Sequence, residues 1–229
     1  MKRYVFIGAY DKTDMLLYVA RILTLLGKKV ILIDTTLLKK SRYIVPTMQQ
    51  EKQYITTFED IDVAIGFDSF EAIQRYQKQI LGVETKYDVA LLDIDRAIAY
   101  QKFGIQKEDR HYFVTSFDVF NLKRGIQVLA HVPPNIKITK IYYTRQMLAE
   151  EDQYLNFLAR GCKIRWDKNI IFFPFETSDL DMIYVNQRSG HIQMKGLSNI
   201  YVDSILFLAE EISGENESKV RKAYKMLDN

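Results

Sequence analysis

The chain has a single cysteine, Cys162, so an intramolecular disulfide is excluded and a reducing compartment suits it. Its three histidines, His111, His131 and His191, are scattered at spacings that suggest neither a metal site nor a base for a catalytic thiol. Cys162 is therefore read as a small core hydrophobe. With only 4 Pro and 10 Gly there is no linker or low-complexity tract at which to divide the chain, and no internal repeat is visible. No stretch reaches the roughly 18 uninterrupted apolar residues of a spanning helix, and the apolar part of residues 4–9 is too brief for a signal peptide. Neither sign of charge dominates: 32 basic against 29 acidic residues leave +3, which implies no particular polyanionic partner. A cytoplasmic protein is expected, with a place at the membrane surface left open.

What is present is apolar content: 48% of 229 residues are hydrophobic, enough to bury a sizeable core, and one domain over 1–229 is the simplest division. Residues 4–9 (YVFIGA) predict a buried strand. Met15, Leu16, Val19, Ile22, Leu23 and Leu26 follow helical spacing, which predicts a helix over 12–26 stopped by Gly27. KKVILID (28–34) is a second strand. The alternation continues through IDVAIGF, a helix over 69–81, YDVALLDID (87–95), YFVTS (112–116), a helix over 118–130, KITKIYYT (137–144), a helix over 145–160 and NIIFFPF (169–175). Two helices, 198–213 and 216–227, close the chain and pack on the domain or trail from it. Strands alternating with helices predict an α/β fold, a doubly wound and mainly parallel sheet with helices on both faces. Residues 41–60 (SRYIVPTMQQEKQYITTFED) fit no regular element and are read as a partner surface or a cover for a neighbouring site.

In such sheets ligands sit beyond the carboxyl ends of the strands, and the first turn, GAYDKT, has the order of a phosphate-binding loop. The general pattern G-x-x-x-x-G-K-[ST] needs glycines so that backbone N–H groups can wrap phosphates, Lys to meet the outer phosphates and Ser/Thr to hold magnesium. Aligned on Lys12-Thr13, both glycine positions fail, being Phe6 and Asp11. Asp11 is instead a favoured helix cap whose carboxylate would fill the anion site from within, with Asp14 able to return a reciprocal contact. Such a carboxylate also repels phosphate, by roughly 1 to 4 kcal/mol at about 4 Å between water and a surface-like dielectric. In the bland reading, Lys12 and Thr13 are first-turn residues facing water, Asp34 and Asp93 are polar ends of buried strands, and Asp95 caps the following helix.

Taken together, GAYDKTDMLLYVARILTLLGKKVILIDTT, YDVALLDID and VTSFDVFNLKRGIQVL resemble the MinD/ParA group of P-loop ATPases, including the atypical members associated with pilus assembly called TadZ or CpaE. The likeness runs through nearly the whole chain as an order of elements. It implies an ATP and magnesium site in which Gly8, Lys12 and Thr13 meet the nucleotide, Thr13 and Asp93 hold magnesium, and Asp34 and Asp93 are the catalytic acids if the site is active. Departures from the family pattern are Ala9 and Asp11 at glycine positions, Ile7 at the signature lysine, Thr36 and Arg96 near the acidic positions, and Thr144-Arg145 where an Asn-Arg pair reads adenine. The expected function is a localisation or assembly scaffold for a pilus or secretion machine, acting through protein partners and a homodimer, with ATP bound weakly or not at all. A working ATPase switch is the alternative, and a DNA partition protein a further one.

Two other stretches are candidate surfaces. Val220, Tyr224 and Leu227 form a short apolar stripe ringed by Lys219, Arg221, Lys222 and Lys225, which a membrane-binding helix would also show. Arg160, Lys163, Arg165 and Lys168 flank Trp166, a patch able to contact phosphate backbones, though nucleic acid is not the expected partner.

Overall fold

A computed structural model describes residues 1–48, 51–144, 149–174 and 176–227. Eight strands form one sheet: β1 (Lys2–Ile7), β2 (Val30–Asp34), β3 (Tyr54–Phe58), β4 (Ile61–Ile65), β5 (Val89–Ile94), β6 (Arg110–Thr115), β7 (Lys137–Tyr142) and β8 (Arg165–Phe172). Their spatial order is β3-β4-β2-β5-β1-β6-β7-β8, parallel throughout except for the β3–β4 hairpin at one edge. The central strands VFI, VILID and VALLDI are apolar without alternation because both of their faces are covered.

Alternate residues of each strand feed two separate cores. Phe6, Leu32, Leu91 and Val114 face α1 (Thr13–Leu25), α7 (Thr177–Ser189), α8 (Asn199–Ser213) and α9 (Glu217–Lys225). Val5, Ile33, Leu92 and Phe113 face α3 (Phe70–Tyr76), α4 (Ala97–Lys102), α5 (Val119–Leu129) and α6 (Ala149–Leu158). The tyrosine hydroxyl of Tyr4 in β1 donates to the Ile212 carbonyl at 2.7 Å, which ties the end of α8 to the sheet. The doubly wound α/β reading thus describes the molecule, and most elements fall within a few residues of their expected places.

Three differences have physical reasons. The 41–60 stretch does contain regular structure, a short helix α2 (Ser41–Ile44) and strand β3. Its hairpin turn is Glu59-Asp60, both with positive φ (49° and 62°), where Asn-Gly or Asp-Gly would have announced it. Helix α4 is only six residues long, too short to display a helical period. Helix α7 buries mainly Asp179, Ile183 and Asn186, so its inward face is largely polar and the apolar pattern is faint. The expected helix over 145–160 is described only from Ala149 onward, since 145–148 lie outside the described residues.

Candidate functional site

The turn after β1 and the first turn of α1 lie at the carboxyl end of the sheet, beside the ends of β2 and β5. There they border a cleft of about 380 Å³ lined by Gly8, Lys12, Thr13, Lys40, Asp93 and Asp95 among others. Gly8 has φ +150°, and a Cβ there would stand 2.0 Å from the Val114 carbonyl oxygen of β6, so only glycine fits. Of the expected site residues, Gly8, Lys12, Thr13 and Asp93 meet around this cleft.

Lys12 and Thr13 do not face water. They are 2% and 3% exposed, because the lysine stem turns inward beneath the loop. Its Nζ donates to the Gly8 carbonyl at 2.9 Å and lies 2.7 Å from Asp93 Oδ1. That second contact is an ion pair off the line of a hydrogen bond, so Oδ1 has no donor aimed at it. Asp93 is pushed up to about 7, chiefly by burial; the Lys12 ammonium opposes the rise and the nearby Asp34 carboxylate adds to it.

Asp34 is committed to local structure. Its Oδ1 accepts from the Thr36 N–H at 3.0 Å and the Thr36 hydroxyl at 2.6 Å, and its Oδ2 accepts from the Ser41 N–H at 3.1 Å. Asp95 does not cap α4. Its carboxylate accepts from the Leu37 N–H at 3.1 and 3.0 Å, and Arg96 occupies the cap position of α4. Together the two aspartates hold the Thr35–Lys40 loop against the cleft.

That loop carries the residue the sequence did not mark, Lys40. Its ammonium lies 2.5 Å from Asp11 Oδ2 and 2.7 Å from Asp14 Oδ2. The expected cap is partly realised: Asp11 Oδ1 accepts from the Thr13 N–H at 3.1 Å, although the cap position itself belongs to Lys12. The reciprocal contact from Asp14 is not made, because Asp14 meets Lys40 and the Gln187 amide of α7 instead (2.9 Å). Burial opposes ionisation of Asp11, but Lys40 and the Thr13 N–H bring its carboxyl below the usual range. One lysine in LLKKS gives no hint of a partner 26 residues upstream.

As arranged, these groups do not fit magnesium triphosphate. The ammonium that would meet outer phosphates is buried against Asp93, Asp34 accepts three local hydrogen bonds from Thr36 and Ser41, and a carboxylate stands beside the first N–H groups of α1. Among the described residues, no group of three His, Cys, Asp or Glu side chains is placed to hold a metal ion.

The other candidate surfaces are partly used up by packing. Trp166 lies against Phe113 at 5.8 Å between ring centroids, with the Lys140 ammonium 4.9 Å from its own ring centre. Lys140 also donates to Asp152 at 2.6 Å and to the Asn156 amide oxygen at 2.8 Å. In α9, Val220 and Ala223 are buried against the domain, leaving the basic residues outside. No described helix is long and apolar enough to cross a membrane. Arg145 lies outside the described residues, so the Thr144-Arg145 pair has no structural account.

The sheet order and the helices on both faces define the class: a doubly wound, mainly parallel α/β fold. Solved structures share it. The MinD cell division protein of Aquifex aeolicus in its complex with MinC matches with a TM-score of 0.59 at 16% identity, over 94% of this chain and 97% of that one. MinD of the same organism, solved separately, matches with a TM-score of 0.52 at 16% identity, over 94% and 98%. No family model matches the chain, and the search of curated proteins found no match.

Proposed function

We propose that this chain is an interaction protein, a MinD/ParA-like domain whose degenerate nucleotide loop is satisfied from within. It self-associates and positions or scaffolds a larger machine of the pilus or secretion type, with weak or no ATP hydrolysis. The observation that carries the reading is the pairing of Lys12 with Asp93 at 2.7 Å in a site closed by Lys40 and Asp11. Phosphate would have to break the first pair and displace or outweigh the Asp11 carboxylate, and two such effects are enough to erase an affinity in the micromolar range. The scaffold role and the pilus association rest on the family likeness of the sequence. The MinD neighbour seen with MinC supports a protein as the partner. The reading places the protein in the cytoplasm, and peripheral membrane contact through α9 would have to use its basic side chains, since Val220 is already buried. Isothermal titration calorimetry with magnesium-ATP tests it: binding absent or weaker than micromolar is expected, and submicromolar binding overturns it.

A second reading is favoured by one observation, that Lys12, Thr13 and Asp93 still border the same cleft. In it the protein is an ATPase switch that opens when Lys12 leaves Asp93, with Asp34 as the further acid. Phosphate release would then be measurable and would vanish in Lys12→Ala; release unchanged by that substitution removes the option.

A further inference from the structure

A second groove lies at the β8 edge of the sheet, with none of the cleft's lining residues. It holds about 710 Å³ between the C-terminal half of β8 and the outer faces of α8 and α9. Strand β8 ends the sheet, with β7 on one side only. Next to it, α8 turns Ile200, Ser204 and Phe207 outward, one stripe at helical spacing, with Ile200 57% and Phe207 50% exposed. Ser204 is the small residue between them and leaves a notch. Ile171 and Leu206 form an apolar floor.

The rim is acidic. Asp203, Glu210 and Glu217 border the groove against one cation, Arg221, and that guanidinium is held by Asp203 at 3.0 Å and Glu217 at 2.8 Å. No ion pair among the described residues involves the Glu210 carboxylate. We propose that this groove is the docking site for an amphipathic helix of a partner protein, presenting an apolar stripe flanked by lysine or arginine.

Four physical points select that occupant. The α8 stripe from Ile200 to Glu210 runs roughly 15 Å, which matches about three turns of a helix lying alongside it. An added strand would find a poor template: the register with β7 is irregular opposite Thr139, and Asp167 and Lys168 put charge there, leaving only Ile170–Phe172 regular. A second copy is disfavoured, because self-complementary pairing brings the acidic rim of one copy against the same rim of the other. An anionic lipid surface is repelled by the same carboxylates. A basic helix meets Glu210 as its unclaimed counter-charge and seats an apolar side chain over Ser204.

This inference does not depend on the state of the nucleotide loop, so its failure and that of the proposed function are separable. The test is fluorescence anisotropy with the intact chain and two labelled synthetic peptides of about 12 residues, each with leucine on one helical face and with either lysine or glutamate on the other. The lysine peptide should bind at least tenfold more tightly than its glutamate twin, and Ser204→Trp should weaken it at least tenfold. Glu210→Lys, a change at a partly exposed side chain with no ion pair to lose, should abolish the preference, because it brings the rim of Asp203, Glu217 and Arg221 to neutrality. Equal binding of the two peptides, no binding at about 1 mM, an unaltered preference in Glu210→Lys or unaltered affinity in Ser204→Trp would each overturn the proposal.

Discussion

At Asp93 burial makes the stability of the protein sensitive to pH. Its carboxyl is raised from 3.8 to about 7 in the folded chain, so between these values the unfolded state has released a proton that the folded state keeps. The unfolded state then binds fewer protons, and the contribution of Asp93 to stability falls as pH rises through that window and levels off above it. Asp93→Asn should flatten this descent by up to a few kcal/mol between about pH 4 and pH 7. The comparison is the slope of unfolding free energy against pH from urea melts, because above about pH 7 the substitution also removes the charge that faces the Lys12 ammonium and lowers stability there. An unchanged slope would show that Asp93 ionises normally. Lys12 and Asp93 were both legible as candidates in the sequence. Their mutual capture was not, because strands β1 and β5 are neighbours only through the crossovers of the sheet.

Elements show the same division on a larger scale. Helices α7 and α8 are joined through one carboxylate, Asp179, which is fully buried. It accepts from the Glu176 N–H at 2.6 Å, the Ser198 N–H at 2.5 Å and the Ser198 hydroxyl at 2.8 Å, so the start of each helix is fixed to the other. Asp179→Ala removes both acceptor oxygens and with them three hydrogen bonds, leaving two part-buried backbone donors without that partner, a change expected to cost about 2 kcal/mol. Chemical denaturation should show the loss, and Asp179→Asn should retain part of the stability because one oxygen remains. A cost under about 0.5 kcal/mol in the alanine variant would mean water replaces the carboxylate. Strongly apolar elements such as α1 and β5 were visible from spacing alone. Helix α7 was not, since a helix that buries an aspartate and an asparagine carries no apolar period.

For the whole molecule, the carboxyl end of the sheet presents apolar side chains around a cleft whose charges are mutually satisfied. Leu38 is 79% exposed, Tyr43 81% and Phe120 71%, and they belong to the loops and helices following β2 and β6. A surface of that kind is suited to association. If the proposed homodimer forms through it, sedimentation velocity should show a dimer without nucleotide, and Leu38→Asp with Phe120→Asp should weaken it at least tenfold. A dimer untouched by both substitutions would move the interface elsewhere. The β8 groove, with its acidic rim, is a second and chemically different surface.

The sequence by itself determined the alternation of strands and helices, the two-sided burial of the central strands and the loss of glycines around Lys12, because these depend on residue type and local spacing. Only the tertiary structure decided where the charges go. Asp93 reaches Lys12, Lys40 reaches Asp11 and Asp14, and Asp95 reaches the Leu37 N–H, each across segments far apart in the chain. Hydrophobic burial follows a periodic pattern that a linear chain displays. An ion pair is set by the positions of two side chains in space, and the crossover connections of a parallel sheet bring those together without leaving a trace in the order of residues.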